Sequence, residues 1–119
     1  MKSLIVVAHG SRRDESNDEV RRLTEALRAK ARREFPSVRC AFLDLVAPSI
    51  PDGIDASVRE GATHITVLPY FLSAGRHVAM DIPNEVSEKQ RQYPQVNIRI
   101  APYLGAAAGI TDLLLSQVR

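Results

Sequence analysis

The sequence predicts an α/β fold: a three-layer, doubly wound, four-stranded parallel sheet with the flavodoxin-like strand order 2-1-3-4. Three observations predict it. Four short apolar runs each precede a segment of helical period, so the chain reads βαβαβαβα. The first run, SLIVVA at 3–8, is continuously apolar and rich in β-branched residues, as in a strand covered on both faces. No repeat, low-complexity tract or linker interrupts the alternation, which predicts a single domain over 1–119.

The elements follow in order. Ser16-Asn17-Asp18-Glu19 has the form of a capping box, with Ser16 and Glu19 exchanging hydrogen bonds at a helix start. The helix behind it places Val20, Leu23, Leu27 and Ala31 on one face, opposite a solvated Arg/Glu/Lys face. It stops before Phe35-Pro36, because the residue before proline is pushed out of the helical region. Val38 to Leu45 is the second strand, Ala47-Pro48-Ser49 breaks the chain, and a helix runs to about Glu60-Gly61. His64 to Leu68 is the third strand, followed by a long irregular loop over 69–80. A third helix starts near Asp81-Ile82-Pro83, with Asp81 as its cap and proline in its first turn. Gln95 to Ala101 is the fourth strand, and Ala106 to Val118 is a markedly apolar last helix.

Composition narrows the function. The 119 residues carry a net charge of only +2, with 5% aromatics and no Trp, which argues against a nucleic-acid partner. The single cysteine, Cys40, leaves no disulfide framework and no CxxC site, and it reads as a small buried hydrophobe. No apolar run approaches ~18 residues and no signal-peptide pattern opens the chain, so the expectation is a cytoplasmic protein with no membrane partner.

Ligands of open α/β sheets bind beyond the carboxyl ends of the strands, where the winding reverses. In the order 2-1-3-4 that point lies between strands one and three. The loops there are HGSRRDES and PYFLSAGRHVAMDIP, and each contains a histidine near an arginine. His9 and His77 each have a plain alternative, a histidine bonded to nearby backbone, but two converging on one crevice point to a site. His64 starts strand three at the opposite end and reads as structural. Asp44 ends strand two on the same edge, either as a turn cap or as a third member of the site. Two imidazoles and a carboxylate suit a divalent ion, and they also suit proton transfer near neutral pH. Arg12, Arg13 and Arg76 are either surface arginines or grips for a polyanion. Gly10 and Gly75 either let backbone approach a flat ligand or simply make turns. Pro69-Tyr70-Phe71-Leu72 either lines an apolar pocket or packs the loop.

Dinucleotide and P-loop readings lack GxGxxG and GxxxxGK[ST]. A receiver domain lacks its acidic pair, and a flavodoxin lacks its hydroxyl-rich loop. Phosphohistidine chemistry at His9 stays open, although Ala8 stands where that family has an arginine.

HGSR after the first strand, AFLDLVAPSI at the second and LPYFLSAGRHVAMDIP at the third together resemble the short sirohydrochlorin cobaltochelatases, the small CbiX type of the class II tetrapyrrole chelatases. The likeness runs nearly the whole chain in order. It implies a chelatase-like fold and insertion of a divalent ion into sirohydrochlorin, in cobalamin or a related tetrapyrrole pathway. Co2+ is the expected ion, with Ni2+ and Fe2+ as alternatives; the metal enters as substrate, and no permanently bound cofactor is implied. By position, His9 and His77 fall on the family's two metal-binding histidines. Asp44 stands where the family usually has Glu, joining them as a catalytic group. Gly10, Ser11, Arg12, Arg13, Phe71, Leu72, Gly75 and Arg76 become the substrate-binding set. The histidine-rich insertion of some short members is missing. Longer relatives carry two such domains around one cleft, so the resemblance also implies a homodimer. A non-catalytic carrier of metal or tetrapyrrole is the rival reading.

Overall fold

Four strands, β1 (Lys2–Ala8), β2 (Ser37–Phe42), β3 (His64–Pro69) and β4 (Asn97–Ile100), pair in parallel in the predicted order β2-β1-β3-β4. The computed structural model describes residues 1–119. Four α-helices join them: α1 (Asp14–Ala31), α2 (Ile50–Arg59), α3 (Ile82–Gln92) and α4 (Ile110–Ser116). β1 is central, and every residue from Ser3 to Ala8 is buried, as its unbroken apolar run requires. Ala8 sits opposite Phe42, and Val7 opposite Pro69, so three strands end together at one edge. The loops carrying His9, Asp44 and the 70s all leave from that edge.

Side chains alternate across the sheet. Ile5, Val7, Ala41, Ile65, Val67 and Ile98 face one side and form the core with Ile50 and Ile54 of α2 and Ile82 and Val86 of α3. On the other side α1 covers Phe42, with the Arg21 guanidinium 5.6 Å from its ring centre. α2 begins as expected, the Ser49 hydroxyl accepting from the Asp52 amide at 3.2 Å. No helix is long and apolar enough to cross a membrane.

Several local expectations are corrected. α1 starts at Asp14, so Ser16 and Glu19 lie inside the helix and form no capping box. Asn17 secures the helix start instead: buried, it accepts from the Ser11 amide at 3.0 Å and donates to the Ser11 carbonyl at 2.8 Å. β2 stops at Phe42, not Leu45, because Leu45 takes a positive φ of 68° and turns the chain. The loop over 69–80 is shorter than expected, since residues His77–Asp81 wind into a π-helical turn that runs directly into α3. Asp81 therefore has helical backbone and caps nothing with its side chain. The last helix is split: a 3-10 turn at Leu104–Ala106 precedes the short α4, whose leucines are exposed. Cys40 is half-buried rather than fully enclosed.

Candidate functional site

At the carboxyl edge of β1 and at the start of the π-helical turn, the two predicted histidines meet. His9 Nε2 lies 3.2 Å from His77 Nε2, and the rings cross edge-on at 72° with centres 4.7 Å apart. The far side of each ring settles its tautomer. His9 Nδ1 is 3.0 Å from the Gly10 carbonyl oxygen, which can only accept. His77 Nδ1 is 2.7 Å from Asp81 Oδ2. Both Nδ1 atoms are thus assigned as N–H donors, which leaves the two neutral rings with Nε2 lone pairs pointing at each other. Such a pair repels unless a proton or a metal cation lies between. Two nitrogens each ~2.0–2.1 Å from one tetrahedral ion would stand roughly 3.3–3.4 Å apart, close to the spacing observed.

The π-helical turn creates this geometry. Asp81 is one turn beyond His77 on a continuous helical stretch, so its carboxylate reaches back to the ring. Together with Leu43, Asp44, Asn84 and Glu85, these two residues line a recess of about 340 Å3. Asp44 is brought to the site, its amide donating to the His9 carbonyl at 3.0 Å. Its own carboxylate, however, accepts from the Leu45 amide at 2.8 Å, the turn-capping role that the sequence left open. No three His, Cys, Asp or Glu side chains converge closely enough to enclose an ion by themselves. What converges here is one pair of imidazole nitrogens.

The other predicted residues sort by environment. Arg12, Arg13 and Arg76 are exposed on the loops flanking the histidines, with Arg13 only loosely paired to Glu15 at 3.8 Å. Ser11 uses its hydroxyl oxygen to accept the Arg13 amide at 3.0 Å. Gly10 does not leave room for a ligand: a Cβ there would lie 2.0 Å from the Asp44 carbonyl oxygen, so chain packing demands the glycine. Gly75 has open space where its side chain would be. Phe71 packs against the core, the loop-packing alternative, whereas Leu72 is exposed. His64 lies at the far end of the sheet beside Thr63. A larger cavity of about 500 Å3 is also at that end, but its Arg28 and Arg39 are already engaged by the Val38 carbonyl and Glu60.

Sequence reasoning missed Asp81 as a histidine partner and missed Glu85 altogether. The signal was the spacing of His77, Asp81 and Glu85 at four-residue intervals in HVAMDIPNE, hidden by reading its first half as loop. Glu85 Oε2 is buried without a hydrogen-bond partner. Burial pushes its carboxyl above the ordinary range, and the charges of Asp81 and Glu88 push it further. The folded chain therefore holds this proton more tightly than the unfolded chain does. Ionised Glu85 costs stability as pH rises through its folded value, and the cost vanishes below the unfolded range near ~4.3. Glu85→Gln is expected to raise the melting temperature at pH 7.5 and to match the parent at pH 4, as scanning calorimetry at the two pH values would read. A lower melting temperature at pH 7.5 would contradict this.

Fold and site together define a class: a doubly wound α/β domain with two facing histidines at its topological switch point. Within that class the chain belongs to the CbiX family, whose model matches residues 3–119. It is 32% identical over 118 residues to the sirohydrochlorin ferrochelatase of Priestia megaterium, covering 99% of this chain and 44% of that one. It is 33% identical over 114 residues to the sirohydrochlorin cobaltochelatase of Sulfolobus acidocaldarius, covering 96% of this chain and 87% of that one. Its fold matches the sirohydrochlorin chelatase SirB from Bacillus subtilis subspecies spizizenii, solved in complex with cobalt, at a TM-score of 0.86 and 29% identity, covering 98% of this chain and 49% of that chain. The chain thus spans about half the length of two of these relatives and most of the third.

Proposed function

We propose that this chain inserts a divalent metal ion, Co2+ in preference to Ni2+ or Fe2+, into sirohydrochlorin. The observation that carries the reading is the facing Nε2 pair, held 3.2 Å apart with both Nδ1 atoms engaged behind it. The names of the relatives support the tetrapyrrole and include both cobalt and iron enzymes.

Metallation must remove two pyrrole protons and move the ion from its own ligands to the ring nitrogens. His9 and His77 hold the ion against one face of the macrocycle. As ring nitrogens displace them, the freed imidazoles accept the departing protons. Asp81 keeps the His77 Nε2 lone pair aimed at the ion and stabilises the imidazolium that forms. Asp44 and Glu85, in the same recess, pass protons outward. Arg12, Arg13 and Arg76 pair with the ring's peripheral carboxylates. The metal passes through as substrate, no resident cofactor is needed, and a second copy closes the cleft.

Anaerobic incubation of catalytic amounts of protein with excess sirohydrochlorin and Co2+, Ni2+ or Fe2+, followed by absorption spectroscopy, tests this. Multiple turnovers fastest with Co2+ are expected; one equivalent bound without turnover would establish the carrier reading instead. Asp81→Asn removes the charge behind His77 and is expected to lower Co2+ affinity or insertion rate by roughly 10–100-fold. Co2+ titration and the same assay would read it, and a change under twofold would leave Asp81 no role in the site.

A further inference from the structure

We infer that Leu45 is a substrate-binding residue, its side chain held out on a strained turn as an apolar contact for the flat face of the tetrapyrrole. The inference rests on the insertion reading above and names a contact which that reading does not contain.

Leu45 stands at the middle of a three-residue turn. The Val46 amide donates to the Asp44 carbonyl at 2.8 Å, and Leu45 between them has a φ of 68°. This is a γ-turn of the rare, strained kind, and a bulky side chain makes its backbone costlier still. No other residue besides glycine has a positive φ in this chain. The neighbouring bonds hold the turn closed. Asp44 Oδ1 accepts from the Leu45 amide at 2.8 Å, and the Asp44 amide donates to the His9 carbonyl at 3.0 Å. The Leu43 amide donates to the Ala8 carbonyl at 3.0 Å. Strained backbone persists where its surroundings over-determine it, and such places gather at active sites and ligand clamps.

The side chain does nothing for the fold. It is 55% exposed and lies outside the core cluster, whereas Leu43 packs against that cluster. Glycine would suit this backbone better and would place less apolar surface in water. A leucine here is useful only against something beyond the chain, and its position says what. Asp44, the residue before it, lines the recess with His77 and is bonded to the His9 segment. The loop after β3 and the π-helical turn sit at the same edge and expose two further large apolar side chains, Leu72 and Met80. A tetrapyrrole has an apolar ring face and carboxylates on its rim. The exposed apolar side chains and the arginines of these edge loops match those two parts.

Equilibrium titration with metal-free sirohydrochlorin, read by absorption, tests the contact without requiring turnover. Leu45→Asn and Leu45→Gly remove the apolar side chain and accept the positive φ. Each is expected to weaken sirohydrochlorin binding roughly tenfold, the loss of one buried leucine contact. Both should unfold at or above the parent's urea midpoint. Leu45→Met keeps an apolar chain of similar volume and should bind within about threefold of the parent. Co2+ affinity, measured without tetrapyrrole, should stay at the parental value in all three variants. Parental sirohydrochlorin binding in Leu45→Asn and Leu45→Gly overturns the contact and leaves insertion intact. A matching loss of Co2+ affinity, or a lower urea midpoint, makes Leu45 a structural residue and overturns it equally. A change in sedimentation with an unchanged titration assigns the side chain to a protein partner instead. A parent that binds no sirohydrochlorin overturns both the contact and the insertion reading.

Discussion

Replacing His9 or His77 by alanine is expected to lower the rate of cobalt insertion into sirohydrochlorin at least tenfold, and by as much as the ~10²–10⁴-fold typical of a lost acid–base group. Each imidazole is assigned two tasks, holding the ion and taking a proton, and neither ring performs them alone. The Nε2 atoms face each other at 3.2 Å, so removing one leaves the other a single-point ligand. The double replacement should then cost little more than either single one, because groups acting as a unit are not additive. Initial rates from the absorption spectrum, under strict exclusion of oxygen, measure all three. Both rings are partly exposed and belong to no core cluster, so folding should survive. A single variant that retains the parental rate would remove the histidine pair from the mechanism.

Gly10→Ala is expected to be the most damaging small substitution near the site. The backbone there has a φ of 94°, which side-chain-bearing residues adopt only at a cost of roughly 1–3 kcal/mol. The added methyl would also lie 2.0 Å from the Asp44 carbonyl oxygen, a backbone atom that cannot swing aside. Loss of about 2 kcal/mol or more in urea unfolding is expected. Insertion should fall as well, since the His9–Gly10 and Asp44 segments are joined by the bond from the Asp44 amide to the His9 carbonyl. Gly75→Ala provides the contrast: nothing lies within 4 Å of its added carbon, so stability should stay within about 0.5 kcal/mol of the parent. Equal urea midpoints for Gly10→Ala and the parent would refute the clash.

The strand order and the meeting of two loops were legible because they follow from periodicity and winding. SLIVVA could only be a central strand, and the winding then placed His9 and His77 at one edge. The π-helical turn was not legible. LSAGRHVAMD carries glycine, serine and no apolar period, and it becomes helical only because His77–Asp81 runs into α3, whose Ile82 is fully buried in the core. With that turn misread, Asp81 passed for a cap and Glu85 went unread. The capping box at Ser16 failed for a related reason. Asn17, buried against the Ser11 backbone, starts the helix earlier than the local pattern indicates.

By itself, then, the sequence determined the sheet, its order and the edge at which the two histidines meet. All of these depend on interactions between near neighbours or on the handedness of the chain. Tertiary structure decided which ring nitrogens face each other, which carboxylate stands behind His77, and that the Asp44 carboxylate turns to its own backbone. It also decided that α4 lies exposed beside an unfilled groove. Those outcomes depend on distances between residues as much as 68 positions apart. No local propensity encodes such distances; they arise only when the packed sheet brings its loops to a common edge.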